Sequence, residues 1–299
     1  MSDRSSIRSE SFASLLQSHV AVVVGHPGDE ILGLGGYLAQ VPAPLIVHLT
    51  DGVPRTLSDA ERATYASREE YARVRRREID RALVAAAVAH ERRLALCEAD
   101  QQAVLHLAQL TRELTPVLAS VAWVITHPYE GGHPDHDAAA FIVQAACALL
   151  ERAIGRAPER LEFASYHARD AQIVRGEFWP DPACAESALT LNAAQKARKG
   201  AALSKLITRQ SLVRSFPMDV ERLRPAPRYD FTSAPPPGVV LYDRFGWAMR
   251  GDLWRREAAR ALAALGLASR EPSVDTSISI EATAPEPIAG SPVLAARPV

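Results

Sequence analysis

Two short stretches of this chain hold the side chains best suited to chemistry. His26-Pro27-Gly28-Asp29-Glu30 follows the β-branched run 20–24, and His133-Pro134-Asp135-His136 follows the apolar run 121–126. Together they offer H-x-x-D after one run and H-x-x-H after another. Two imidazoles and a carboxylate with a fourth position open form a common catalytic zinc set. An ion in such a set brings the pKa of its water toward about 7 and polarises a carbonyl oxygen, which is the chemistry of amide or ester hydrolysis. A lone histidine is more often structural, and His19, His48, His90, His106 and His167 are read that way. The coincidence of the two spacings singles out His26, Asp29 and His136 as candidate metal ligands.

Both stretches need strands to deliver them. The run 20–24 and the runs 45–49, 94–97, 121–126 and 161–166 are short, apolar and bounded by turn residues, as buried strands are. Between them lie helical patterns over 30–39, over most of 58–89, over 102–118 and over 138–153. Ser67 and Glu70 have the spacing of a capping box, and Asp137 is placed to cap the helix from 138, with Pro134 holding off its start. Alternation of strand and helix predicts an α/β fold, a Rossmann-like three-layer sandwich with a mostly parallel sheet. In such a sheet ligands bind beyond the carboxyl ends of the strands, where His26, Asp51 and His133 would all fall. Asp51 reads equally well as a turn residue. The glycines at 33, 35 and 36 do not make a G-x-G-x-x-G dinucleotide fingerprint.

The last third is less regular. A strand over 187–191, a helix over 193–209 capped by Asn192, a proline-rich loop over 217–237, a short strand over 239–242 and a helix over 251–265 are expected. Domain organisation reads as an N-terminal extension (1–18), one enzyme domain (19–267) and a tail (268–299) too polar to offset its ordering entropy.

Composition excludes several classes. The chain has 299 residues, 47% of them hydrophobic, with a net charge of -1; that balance argues against a general nucleic-acid binder. The arginines at 73, 75, 76 and 77 are balanced by Glu69, Glu70, Glu78 and Asp80 and read as a solvated helix face. No stretch approaches the roughly 20 apolar residues that span a bilayer, so no membrane association is expected. Three scattered cysteines imply no disulfide framework and suit a reducing, cytoplasmic setting; Cys97 and Cys147 are expected as core fillers.

These motifs resemble those of the LmbE-like (PIG-L) family of zinc-dependent de-N-acetylases. The family's A/P-H-P-D-D-E is similar to Gly25–Glu30, and its G-H-P-D-H is matched fully by Gly132–His136. Asp51-Gly52, Arg75-x-x-Glu78 and Asp100 are similar to less specific family features. The resemblance implies a small-molecule N-acetylated sugar or sugar conjugate as substrate. It implies zinc ligands at His26, Asp29 and His136, and a proton-donating or oxyanion-stabilising role for His133. Asp135 would orient a ligating histidine or serve as a base, and Arg75, Asp100 and Asp51 are candidate substrate contacts. The departure is Gly28, where the family pattern has the aspartate expected to act as general base. Asp51, Glu30, Glu130 and Asp135 are the carboxylates that could replace it. The competing reading is a metal and sugar-conjugate binder that has lost turnover.

Overall fold

The computed structural model describes residues 15–89, 92–170, 172–236 and 238–268. His90, residues 1–14 of the expected extension and residues 269–299 of the expected tail lie outside them. Seven strands form one sheet. In chain order these are β1 (Val20–Val24), β2 (Leu45–Thr50), β3 (Arg93–Glu98), β4 (Trp123–Thr126), β5 (Glu159–Phe163), β8 (Ser187–Thr190) and β9 (Val220–Pro225). Their spatial order is β3-β2-β1-β4-β5-β9-β8. The first five run parallel, and β9 and β8 are added antiparallel. A separate hairpin pairs β6 (Tyr166–Arg169) with β7 (Gln172–Arg175).

The side-chain alternation of β1 sets the layers. Val20, Val22 and Val24 face one core with Ile46, Ile125 and Phe163, covered by α1 (Asp29–Leu34), α3 (Arg68–Ala85) and α6 (Ala193–Leu203). Ala21 and Val23 face the other with Val47, Leu49 and Val124, covered by α4 (Leu107–Leu118), α5 (Pro134–Ile154) and α8 (Gly251–Ala264). The sheet with helices on both faces is the three-layer α/β architecture expected. A short α2 (Asp59–Thr64), closed by a complete Ser58–Glu61 capping box, and α7 (Gln210–Val213) complete the helices named here.

Several elements depart from the sequence reading. The proline-rich segment contains β9, because Glu221 and Arg224 find buried partners: Lys199 Nζ lies 2.9 Å from Glu221, and Arg224 Nε 2.9 Å from Glu162. Helix α5 begins at Pro134 rather than at 138. Proline suits the first helical position, where its missing N–H is no loss, and His133 rather than Asp137 is the N-cap. The strand expected through Tyr166 stops at Phe163, and the next residues leave the sheet for the β6–β7 hairpin. Leu241–Phe245 is a 3-10 turn, not a strand. Helix α6 ends at Leu203, before the expected 209. Helix α1 is shorter than the expected 30–39. Glu70 accepts from the Ala66 N–H, outside a reciprocal box with Ser67. Cys97 is exposed, whereas Cys147 is buried. Arg75 and Glu78 are also buried, so that helix face is not wholly solvated.

The Lys199–Glu221 pair is 1% exposed on both sides and ties α6 to β9; Glu221 also accepts from the Gly36 N–H at 2.8 Å. Removing one member of such a pair strands the other charge. Lys199→Met should therefore lower unfolding free energy by about 3–5 kcal/mol, measured by urea denaturation; a loss below about 1 kcal/mol would show the pair to be dispensable.

Candidate metal and active site

The switch point of the sheet falls between β1 and β4: from β1 the chain winds toward β2 and β3, then returns to place β4 on the other side. The loops leaving these two strands open a crevice at their carboxyl ends. His26 and Asp29 come from the β1 loop; His127, His133 and His136 come from the β4 loop and the start of α5.

Local chemistry fixes both loops. Gly28 is the N-cap of α1 at φ 106°, a left-handed value glycine adopts without strain. Its N–H donates to Glu30 Oε2 at 2.9 Å, and Glu30 Oε1 lies 3.3 Å from His48 Nε2. In the second loop His133 Nδ1 accepts from the Asp135 N–H at 3.1 Å. Neutral His133 therefore carries its proton on Nε2. Asp137 accepts from the Gly131 N–H and the Tyr242 hydroxyl, each at 3.1 Å, and Trp254 Nε1 donates to Pro134 O at 3.0 Å. A Cβ at Gly132 would overlap the Tyr166 carbonyl oxygen, so glycine is required there by close approach.

His26 Nδ1 and His136 Nε2 lie 3.0 and 3.1 Å from Asp29 Oδ2, and 3.3 Å from one another. Ligands held at 2.0–2.1 Å around a tetrahedral ion are about 3.3 Å apart, so the triangle fits one face of such a centre. The other ring nitrogen of His26 lies 3.1 Å from Asp100 Oδ1 and 3.2 Å from Asp135 Oδ2. Carboxylates in that relation orient a ligating imidazole and raise its basicity. Among the described residues, three overlapping groups of side chains are close enough to hold a metal: His26/His133/His136, His26/Asp100/His133/Asp135 and Asp29/His127/His136.

Electrostatics suit a ligand role at Asp29 and His136, whereas His26 has to give up a proton to ligate. Burial opposes charge on Asp29, but the His136 and His26 imidazoles outweigh it and hold the carboxyl well below its usual range. Burial also opposes charge on His26, and Asp29, Asp100 and Asp135 outweigh it, raising His26 well above an ordinary histidine. Burial pushes His133, His136 and His127 down, the last to about 3, with neighbouring histidines adding to the effect. Neutral imidazole is the ligating form.

The other sequence candidates are placed as follows. Arg75 donates to Pro27 O at 3.2 Å and lines a cavity of about 410 Å³ running beside α3 and β3, together with Thr50, Asp51 and His48. Asp51 is engaged by Arg68 at 3.0 Å and by the Val53 and Asp100 N–H groups. Glu130 accepts from the Trp179 N–H and from Arg224. Asp135 accepts from the Gln101 N–H at 2.7 Å. His127 went unassigned in the sequence because its spacing to the other histidines matches no ligand pattern; its place directly after β4 is the one available signal. His48 and His167 are buried beside Glu30 and Glu130.

Residues 21–147 match the family described as PIG-L, GlcNAc-PI de-N-acetylase. Among solved structures the chain is similar to the A40926 pseudoaglycone deacetylase Dbv21, at 18% identity and a TM-score of 0.50, over 71% of this chain and 98% of that one. It is also similar to the N,N'-diacetylchitobiose deacetylase from Pyrococcus horikoshii, at 17% identity and a TM-score of 0.45, over 74% of this chain and 94% of that one. No curated protein matches it. At 18% identity the likeness to Dbv21 is one of fold. The chain carries, over residues 21–147, a domain of the PIG-L family.

Proposed function

We propose that this protein is a zinc-dependent hydrolase that removes an acetyl group from an N-acetylated sugar or amino-sugar conjugate. The observation that carries the reading is the triangle of His26 Nδ1, Asp29 Oδ2 and His136 Nε2, with His133 packed edge-on to His26 at 4.3 Å between ring centroids. His26, Asp29 and His136 would hold the ion, which supplies Lewis acidity to the amide carbonyl and acidifies water.

The side chains around it supply the rest. The tautomer of His133 leaves Nε2–H free to donate a hydrogen bond to the carbonyl oxygen as negative charge develops there. Water adds to the carbonyl carbon, a proton from that water passes to the leaving nitrogen as the C–N bond breaks, and acetate and the amine result. Asp135 and Asp100 keep His26 oriented through its Nε2. Arg75 and Asp100 are the proposed contacts to sugar hydroxyls, with Asp51 shaping the rim through Arg68. The substrate body would lie in the cavity beside α3. Among the described residues no helix is long and apolar enough to cross a membrane, and a small soluble substrate in the cytoplasm accords with that.

The general base is the weak point of the site. Asp51 is held by Arg68 and two backbone N–H groups, whereas Glu30 Oε1, Glu130 Oε2 and Asp135 Oδ1 are buried without a hydrogen-bond partner among the described residues. Leu206 Cδ1 lies 3.1 Å from where a side chain at Gly28 would begin. That packing favours a second reading, a metal and sugar-conjugate binder with little or no turnover.

Two experiments test these readings. Zinc-loaded protein should release acetate from N-acetylglucosamine conjugates, with release abolished by chelator and by His136→Ala; no release from a broad panel by metal-loaded protein would leave the binding reading. Gly28→Asp should raise kcat about 10²-fold or more if base assistance is what the chain lacks. The same change should cost about 1–2 kcal/mol of stability, because a left-handed backbone disfavours a Cβ. An unchanged or lower kcat in folded, zinc-loaded Gly28→Asp would mean that another group already takes the proton.

A further inference from the structure

Arg75 is buried on α3, only 6% exposed, and among the described residues its hydrogen-bond partners are neutral. Nη2 donates to Pro27 O at 3.2 Å, the Tyr71 hydroxyl lies beside the group, and Nη1 is buried without a partner. A buried cation is ordinarily paired, because water no longer solvates it. The acids around Arg75 are engaged elsewhere. Asp29, which acts on it from a distance, faces His26 and His136. Glu78, one turn further along α3, accepts from the Thr208 N–H at 3.1 Å and from the Thr208 hydroxyl at 2.6 Å.

The Glu78 contact also presents a second arginine. Arg209 follows Thr208 in the 3-10 turn Ile207–Arg209, between α6 and α7. Leu206, just before that turn, packs against Gly28 beside the candidate metal ligands. These two anchors hold Arg209 at the crevice, where its charge acts on Arg75, His136 and Tyr166. Among the described residues its guanidinium makes no ion pair. Glu61, the acid it favours, is closed into the Ser58 capping box. Two guanidinium groups that repel one another and have no counter-charge suit an anion, since the planar fork of arginine binds carboxylate or phosphate through paired hydrogen bonds. We infer that the conjugate carries an oxyanion group, a carboxylate or a phosphate, held between Arg75 and Arg209. A sugar hydroxyl at Arg75 would leave both charges uncompensated, whereas an oxyanion compensates them together. The inference rests on the hydrolase reading above and names its substrate class. Arg75 and Pro27, the neighbour of His26, line the same cavity, so an anion held there stays close to an acetamide at the metal. Arg209 lies beyond the residues 21–147 that match the family.

Calorimetric titration of the zinc-loaded protein with compounds that share one acetamido sugar tests this: methyl N-acetylglucosaminide, N-acetylglucosamine 1-phosphate and the carboxymethyl glycoside of N-acetylglucosamine. The wild type should bind at least one anionic compound about 10-fold or more tighter than the neutral one, the scale of a charge-assisted contact. Which anionic compound gains more distinguishes phosphate from carboxylate. Arg209→Gln, on a half-buried turn, should lose that preference while zinc stoichiometry and binding of the neutral compound stay unchanged. Equal binding of all the compounds by the wild type, binding of none, or a preference that survives Arg209→Gln would overturn the inference. Acetate release measured alongside separates it from the reading it rests on. Release without regard to charge leaves a hydrolase without the anion site. An Arg209-dependent preference with no release from any compound leaves the anion site on a binding protein.

Discussion

One carboxylate oxygen concentrates the constraints on this molecule. Asp29 Oδ2 is approached by the His26 backbone N–H and Nδ1 at 3.0 Å each, by His136 Nε2 at 3.1 Å and by His127 Nε2 at 3.4 Å. Three of these groups are imidazoles from two strand-end loops. They meet only because β1 and β4, more than 100 residues apart in the chain, lie side by side in parallel register from Val20 opposite Trp123 to Val22 opposite Ile125. A slip in that pairing would part the nitrogens from the oxygen.

Much of the surrounding structure braces the second loop. Arg224 on β9 reaches Glu130 and Glu162, with Tyr229 completing the group through its hydroxyl. Burial pushes Glu162 up to about 8 against the pull of Arg224, which shows how strongly this polar cluster depends on its pairing. Trp254 on α8 holds the start of α5, and Tyr242 holds Asp137. The antiparallel strands and the last helix, which contribute no candidate ligand, thus fix the loop that contributes three histidines.

Gly28 sits at a left-handed position where the family pattern has an aspartate, and Leu206 packs where a side chain there would project.

Much of the fold was legible in the sequence because its signals are local. The β-branched runs, the helical stripes and the alternation of the two set a parallel α/β sheet, and H-x-x-D with H-x-x-H after two of its strands marked His26, Asp29, His133 and His136. The elements that escaped depend on distant partners. β9 lies in a proline-rich segment and exists because β5 and β8 pair with it and Lys199 and Glu162 satisfy its charges. Pro134 starts α5 instead of holding it off, because the effect of a proline depends on whether it falls inside a helix or at the first turn. His127 resembles any loop histidine until β4 is set beside β1. The sequence by itself determined which donors the chain carries and that strands present them, since residue types and short-range periodicity are written in the chain. Only the tertiary structure decided which of them converge on Asp29, because distances between side chains a hundred residues apart are set by strand pairing and packing.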